Sequence, residues 1–207
     1  MRLCKENGYD VLRLRYPHRG FAPIQYSAKA TKDLVEAIRP EYSHITFVGH
    51  SMGGLIGRYL IQRTDVGGLV DAYVSIGTPH KGTYMAFLAP WSKSAHQMRP
   101  GSEFLKRLDA SPWPNIPALT IKGALEEVVI PRSNASFDYA ADEVVIPNAN
   151  HASLLFNKQT FWEMWAWLTF DVFGEPGPLE RDGAAAVVDF SDVAESNPTL
   201  QLWHSVE

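Results

Sequence analysis

The sequence predicts an α/β fold, a mostly parallel sheet with helices on both of its faces. Two observations carry that reading. Short runs that are apolar throughout, as strands covered on both faces are, alternate with segments whose apolar residues recur at helical spacing. The string Gly49-His50-Ser51-Met52-Gly53 stands directly between one such run and one such helix.

Taken in order, Asn7-Gly8 suits the end of a helix, and Val11 to Tyr16 reads as a strand stopped by Pro17, so the chain opens in the middle of a unit. Ala28, Leu34, Val35 and Ile38 mark a helical face that ends at Pro40, and Ile45 to Val48 is the next strand. Leu55, Ile56, Tyr59 and Leu60 define a second helix, which Gly67-Gly68 stops before the strand Leu69 to Ile76. Residues 82–117, with Trp91, Trp113 and prolines at 90, 100, 112 and 114, break the rhythm as an excursion of short helices or a lid. The strands Ala118 to Ile121 and Glu143 to Ile146 follow. Thr160-Phe161-Trp162-Glu163 has the form of a capping box, opening an aromatic core helix that Gly174 closes. The related strings starting at Glu126 and Asp142 are too few and too close to indicate a repeat.

The chain has 207 residues, enough for one domain and too few for two ordinary ones. Residues 1–174 form the predicted domain; from Glu175 seven acidic residues face one basic, so this tail carries −6 and the body +2 of the net −4. A net negative charge without a Lys/Arg cluster argues against a nucleic-acid partner. One cysteine, Cys4, excludes an intrachain disulfide or a CxxC site, and no run approaches the length of a membrane span. HExxH, P-loop and dinucleotide fingerprints are missing, so no cofactor or metal is expected. Compartment and oligomeric state are not legible.

GxSxG at a strand-to-helix turn is chemistry rather than an ordinary loop, because the sharp turn exposes the serine hydroxyl and the flanking glycines give it room. Ser51 is therefore the candidate nucleophile, and the N–H of Met52 the candidate oxyanion donor. A serine hydroxyl needs a histidine base oriented by a carboxylate, in the chain order Ser, acid, His. Among the seven histidines, His151 alone follows the last strand at the sheet edge where the turn opens. His50 is expected to point away, and His80 either lines the site or caps a loop. Glu126 and Glu127 both follow the Ala118 to Ile121 strand at that edge, with Glu127 the first choice and Glu126 the second. Asp142 starts the last strand, roughly 15 Å from the edge at about 3.3 Å per residue, which disfavours it.

Gly49-His-Ser-Met-Gly-Gly54, Ile76-Gly-Thr-Pro-His-Lys-Gly-Thr83, Glu127-Val-Val-Ile-Pro131 and Asn150-His-Ala-Ser-Leu-Leu155 together resemble the lipase/esterase branch of the α/β-hydrolases, over about residues 8–174. In that family the acid stands four residues before a loop proline and the histidine precedes a small residue and a Leu-Leu pair. The resemblance thus implies Ser51, Glu127 and His151 as triad, with glutamate in place of the commoner aspartate. It implies a small-molecule or lipid ester as substrate. Family members also carry an upstream strand ending in a His-Gly oxyanion loop, placed between the Val11 to Tyr16 and Ile45 to Val48 strands. This sequence has no counterpart. The expectation is an N-terminally truncated hydrolase fold whose Met1 is internal, with two strand edges left unpaired or paired anew. Acyl transfer by the same triad and a non-catalytic hydrolase fragment are the alternatives.

Overall fold

The computed structural model describes residues 9–13, 20–174 and, as backbone, 186–189. Its sheet is built around β2 (Ile45–His50) and β3 (Ala72–Ile76), whose residues are all buried. β4 (Ala118–Gly123) and β5 (Asp142–Ile146) extend it on one side, and β1 (Asp10–Arg13) and β6 (Ala186–Asp189) lie on the other. The order is β1-β6-β2-β3-β4-β5, and every pairing is parallel. Parallel strands need crossovers, and these are supplied by helices on both faces. The helices are α1 (Ile24–Ile38), α2 (Met52–Arg63), α3 (Lys93–Met98), α4 (Glu103–Asp109) and α5 (Lys158–Ala166).

Successive strand residues feed opposite layers, as a period of two requires. Phe47 and Tyr73 join the core with Leu34, Val35, Leu55, Ile56 and Leu60 of α1 and α2, whereas Val48 and Val74 join Phe161, Met164 and Trp167 on the other face. Each such buried side chain contributes about 1.5–3 kcal/mol, so two continuous layers fix the strand order. Phe104, Leu105 and Leu108 of α4 enter the first layer, which makes the later half of the 82–117 excursion a fixed cover.

Two expectations are corrected. The third strand starts at Ala72 rather than Leu69: Asp65–Leu69 is a 3-10 turn, and Asp71 closes it by exchanging hydrogen bonds with Ile45, its N–H donating to the Ile45 carbonyl and its carboxylate accepting the Ile45 N–H, both at 2.8 Å. The aromatic helix is capped by Asn157, whose side chain accepts from the Gln159 N–H, rather than by Thr160, which lies inside it. Of the two outcomes expected between β1 and β2, edges left unpaired or paired anew, the second is found. Backbone 186–189 pairs with Asp10 to Arg13 on one side and with Ile45 to Val48 on the other. Part of the acidic tail therefore belongs to the sheet, because the open edges of two buried strands cost more than the new pairing. The first strand ends at Arg13 among the described residues; the expected continuation to Tyr16 lies outside them.

Candidate active site

β2 runs into α2 through a single residue, Ser51, with φ 52° and ψ −123°. It is the one non-glycine residue with positive φ among the described residues, a conformation that costs about 1–3 kcal/mol unless its surroundings enforce it. They do so from two sides. The Ser51 N–H donates to the Ile76 carbonyl (2.9 Å), and the Gly54 N–H donates to the Ser51 carbonyl (3.2 Å). A Cβ on Gly49 would stand 2.5 Å from the Gly54 nitrogen, and one on Gly54 would meet Thr78 Cγ2 at 2.6 Å. Thr78 is wholly buried, with its hydroxyl on the Gly49 carbonyl at 3.4 Å, so it cannot yield. Gly54→Ala is expected to cost about 1–3 kcal/mol of stability, read as a lower urea midpoint; an unchanged midpoint would show that the elbow is looser than its contacts imply.

Met52 opens α2, so its N–H is one of the first-turn donors without an intrahelical acceptor, at the positive end of the helix dipole. The Ser51 hydroxyl makes no hydrogen bond to another described residue and is half-buried.

His151 follows β5 in a loop closed by Asn150 and Ser153, where Ser153 Oγ accepts from the Asn150 N–H (2.8 Å) and Asn150 Oδ1 from the Ser153 N–H (2.9 Å). Its ring lies over the end of β3: a Cβ on Gly77 would reach Nδ1 at 3.2 Å, and Gly77 directly follows the residue that holds the Ser51 N–H. Ser51 and His151 thus converge on one edge of the sheet. His151 Nδ1 stands 2.9 and 3.0 Å from the two carboxylate oxygens of Glu126. With Nδ1–H committed to the carboxylate, Nε2 is the nitrogen left to accept a proton.

The expectation for the acid is corrected here. Glu126, 2% exposed, faces the imidazole, while Glu127 Oε2 accepts the backbone N–H of His151 at 3.2 Å. The two acids divide one histidine between them, ring and main chain. Glu126 faces inward because its loop is tied down: Arg132 donates from Nε to the Glu126 carbonyl (2.9 Å) and from Nη1 to the Ala124 carbonyl (2.6 Å), and Thr83 Oγ1 donates to the Val128 carbonyl (2.6 Å). Burial alone would raise the Glu126 carboxyl. The His151 hydrogen bond and the N–H groups of Val129 and Val128, at 3.0 and 2.9 Å, outweigh it and hold the carboxyl below its ordinary range.

His50 does not point out of the assembly. Its Nε2–H donates to the His151 carbonyl at 3.0 Å, and the two rings lie 4.6 Å apart. Burial, then the neighbouring His151, lowers its pKa from 6.5 to about 4. Its position at the end of a buried strand was the sequence signal for such a role. His80 is not brought to this cluster. It stacks on Phe137 at 4.4 Å beside Arg58, in a cavity of about 80 Å³ lined by none of Ser51, Glu126 or His151. Its burial, with Arg58 and Lys81 nearby, likewise lowers its pKa well below 6.5.

Stability should consequently fall with acidity. Above pH 6.5 these histidines are neutral folded or unfolded; below it the unfolded chain takes up protons that the folded His50 refuses until about pH 4. That difference removes up to about 3 kcal/mol over the window, and Glu126, whose depressed carboxyl stabilises the fold above its ordinary range, adds to the loss at the acid end. Urea midpoints at pH 7 and pH 5 measure it; equal midpoints would contradict the burial of neutral His50.

Comparison with known proteins gives the family and the fold. The PGAP1-like alpha/beta domain family matches residues 23–166, a span that includes the elbow, the acid loop and the histidine loop. The chain belongs to that family. The PGAP1-like domain is of the α/β-hydrolase type, and similar solved structures include lipases. The mature form of the Bacillus licheniformis lipase BlEst2 has a TM-score of 0.62 at 18% identity, over 72% of this chain and 76% of that one. Its propeptide form gives 0.61 at 18%, over 71% and 41%. At that identity the likeness is one of fold. No curated protein matches the sequence. Among the described residues, no helix of the PGAP1-like domain is long and apolar enough to cross a membrane.

Proposed function

We propose that this PGAP1-like domain is a serine hydrolase of carboxylic esters, with Ser51 as nucleophile, His151 as base and Glu126 as the acid that orients it. The observation that carries the reading is the buried His151 Nδ1 to Glu126 pair, on the same sheet edge as a serine held at positive φ. Ser51 Oγ attacks the ester carbonyl while His151 Nε2 takes its proton; the imidazolium so formed is stabilised by the Glu126 carboxylate. Negative charge on the carbonyl oxygen meets the Met52 N–H at the start of α2. His151 returns the proton to the leaving alcohol, and water, activated by the same nitrogen, releases the acid. Glu127 holds the histidine loop through its main chain. Met52 as donor is a main-chain role, which fits its partly buried side chain.

The test is turnover of p-nitrophenyl acetate, butyrate and octanoate by the purified, folded chain. Saturable hydrolysis of at least one ester is expected. No turnover of any above the buffer rate would overturn the reading and leave a non-catalytic member of the family.

A further inference from the structure

The edge that carries Ser51 and His151 also carries a dense apolar projection. After Thr83 the chain makes a 3-10 turn, Tyr84–Leu88, and then a bend into α3. Along it Tyr84, Phe87, Leu88 and Trp91 are 59%, 51%, 67% and 73% exposed, and Phe21, whose carbonyl accepts the Lys93 N–H at 3.0 Å, is 51% exposed. Single exposed apolar residues are ordinary; five large ones brought together by the backbone are not.

The projection is held rather than loose. Thr83 donates to the Val128 carbonyl and accepts from the Met85 and Ile130 N–H groups, both at 3.1 Å, the Thr83 N–H donates to the Met98 carbonyl (2.8 Å), and the Tyr84 N–H donates to the Ile130 carbonyl (2.9 Å). These bonds join it to the loop of Glu126. Among the described residues its own free cations are Lys93 and Arg99: residues 72–102 contain no acidic residue, and the third cation of that stretch, Lys81, is paired with Asp138 at 2.7 Å. The Arg99 guanidinium sits 4.7 Å above the Phe87 ring, and Lys93 is exposed beside Trp91.

From this juxtaposition we propose that the 84–91 projection docks the domain on an anionic lipid surface. Tryptophan, tyrosine, leucine and phenylalanine beside Lys93 and Arg99, on a segment without an acidic residue of its own, is the chemistry that partitions into a headgroup layer. The docked face is tied to the acid loop, so a lipid ester is met beside the site. The inference deepens the ester-hydrolase reading and rests on it for its consequence, though the binding itself does not.

The experiment is flotation of the Ser51→Ala chain, which cannot consume the lipid by the proposed route, with vesicles of phosphatidylcholine alone and of an equal mixture of phosphatidylcholine and phosphatidylglycerol. Binding is expected to be about tenfold stronger on the mixed vesicles and to weaken with salt. Leu88→Ser with Trp91→Ser should lower binding about tenfold or more on the mixed vesicles, with an unchanged melting temperature because both side chains are exposed. Lys93→Glu should lower it about tenfold on the mixed vesicles. No flotation of the parent, or equal flotation of parent and double variant, would overturn the proposal. Either failure leaves ester turnover by the unmodified chain untouched, and loss of turnover leaves flotation untouched, so the two readings fail separately.

Discussion

Replacing Ser51 by alanine is expected to lower ester turnover by about a thousandfold to a millionfold, the range seen when a hydrolase loses its nucleophile. The fold should survive, because Ser51 is held by its backbone, the N–H to Ile76 and the carbonyl from Gly54, and not by its side chain. A sharper form of the prediction uses the backbone strain. At φ 52° a glycine pays little where serine pays about 1–3 kcal/mol, so Ser51→Gly should be more stable than the parent and equally inactive. Urea midpoints and turnover on the same preparation read both effects. A glycine variant that retains activity would remove Ser51 from the chemistry; one that loses stability would mean that the elbow is not strained.

The second large effect separates two adjacent acids. Glu126→Gln keeps the shape but removes the charge facing His151 Nδ1, and turnover should fall about a hundredfold to ten-thousandfold, since the imidazolium loses its partner and the tautomer its anchor. Glu127→Gln keeps a carbonyl oxygen for the His151 N–H, so turnover should stay within a few-fold of the parent. Both variants are measured with one ester at saturating concentration. The opposite order of losses would restore Glu127 as the acid and make the observed carboxylate pairing irrelevant to turnover.

The elbow was legible because three independent signals coincide at it: a buried apolar run, glycines where a Cβ would strike backbone, and a helical periodicity that starts one residue later. β4 and β5 were legible from short runs rich in β-branched residues, and His151 from its place in the loop that follows β5. The acid was narrowed to Glu126 and Glu127 but ordered the wrong way for the side chain that faces the ring. Neighbouring residues in an irregular loop point apart, and which one points inward is set by Thr83 and Arg132, anchors distant in the sequence or in a different turn. For His80 the chain position left open whether it lines the site or caps a loop; its ring packs against Phe137 and Tyr73, away from the His151 cluster. β6 was the least legible element. Four residues, Ala-Val-Val-Asp, carry no periodicity of their own, and only the vacancy between β1 and β2 gives them a partner on each side.

The most direct measurement is covalent labelling of the purified chain with a fluorophosphonate probe, which forms a bond only to a serine activated by its neighbours, followed by mapping of the modified residue. The account predicts labelling on Ser51 alone, lost in Ser51→Ala and in His151→Ala and strongly slowed in Glu126→Gln. A folded chain that is not labelled, or one labelled as fast without His151, would contradict it.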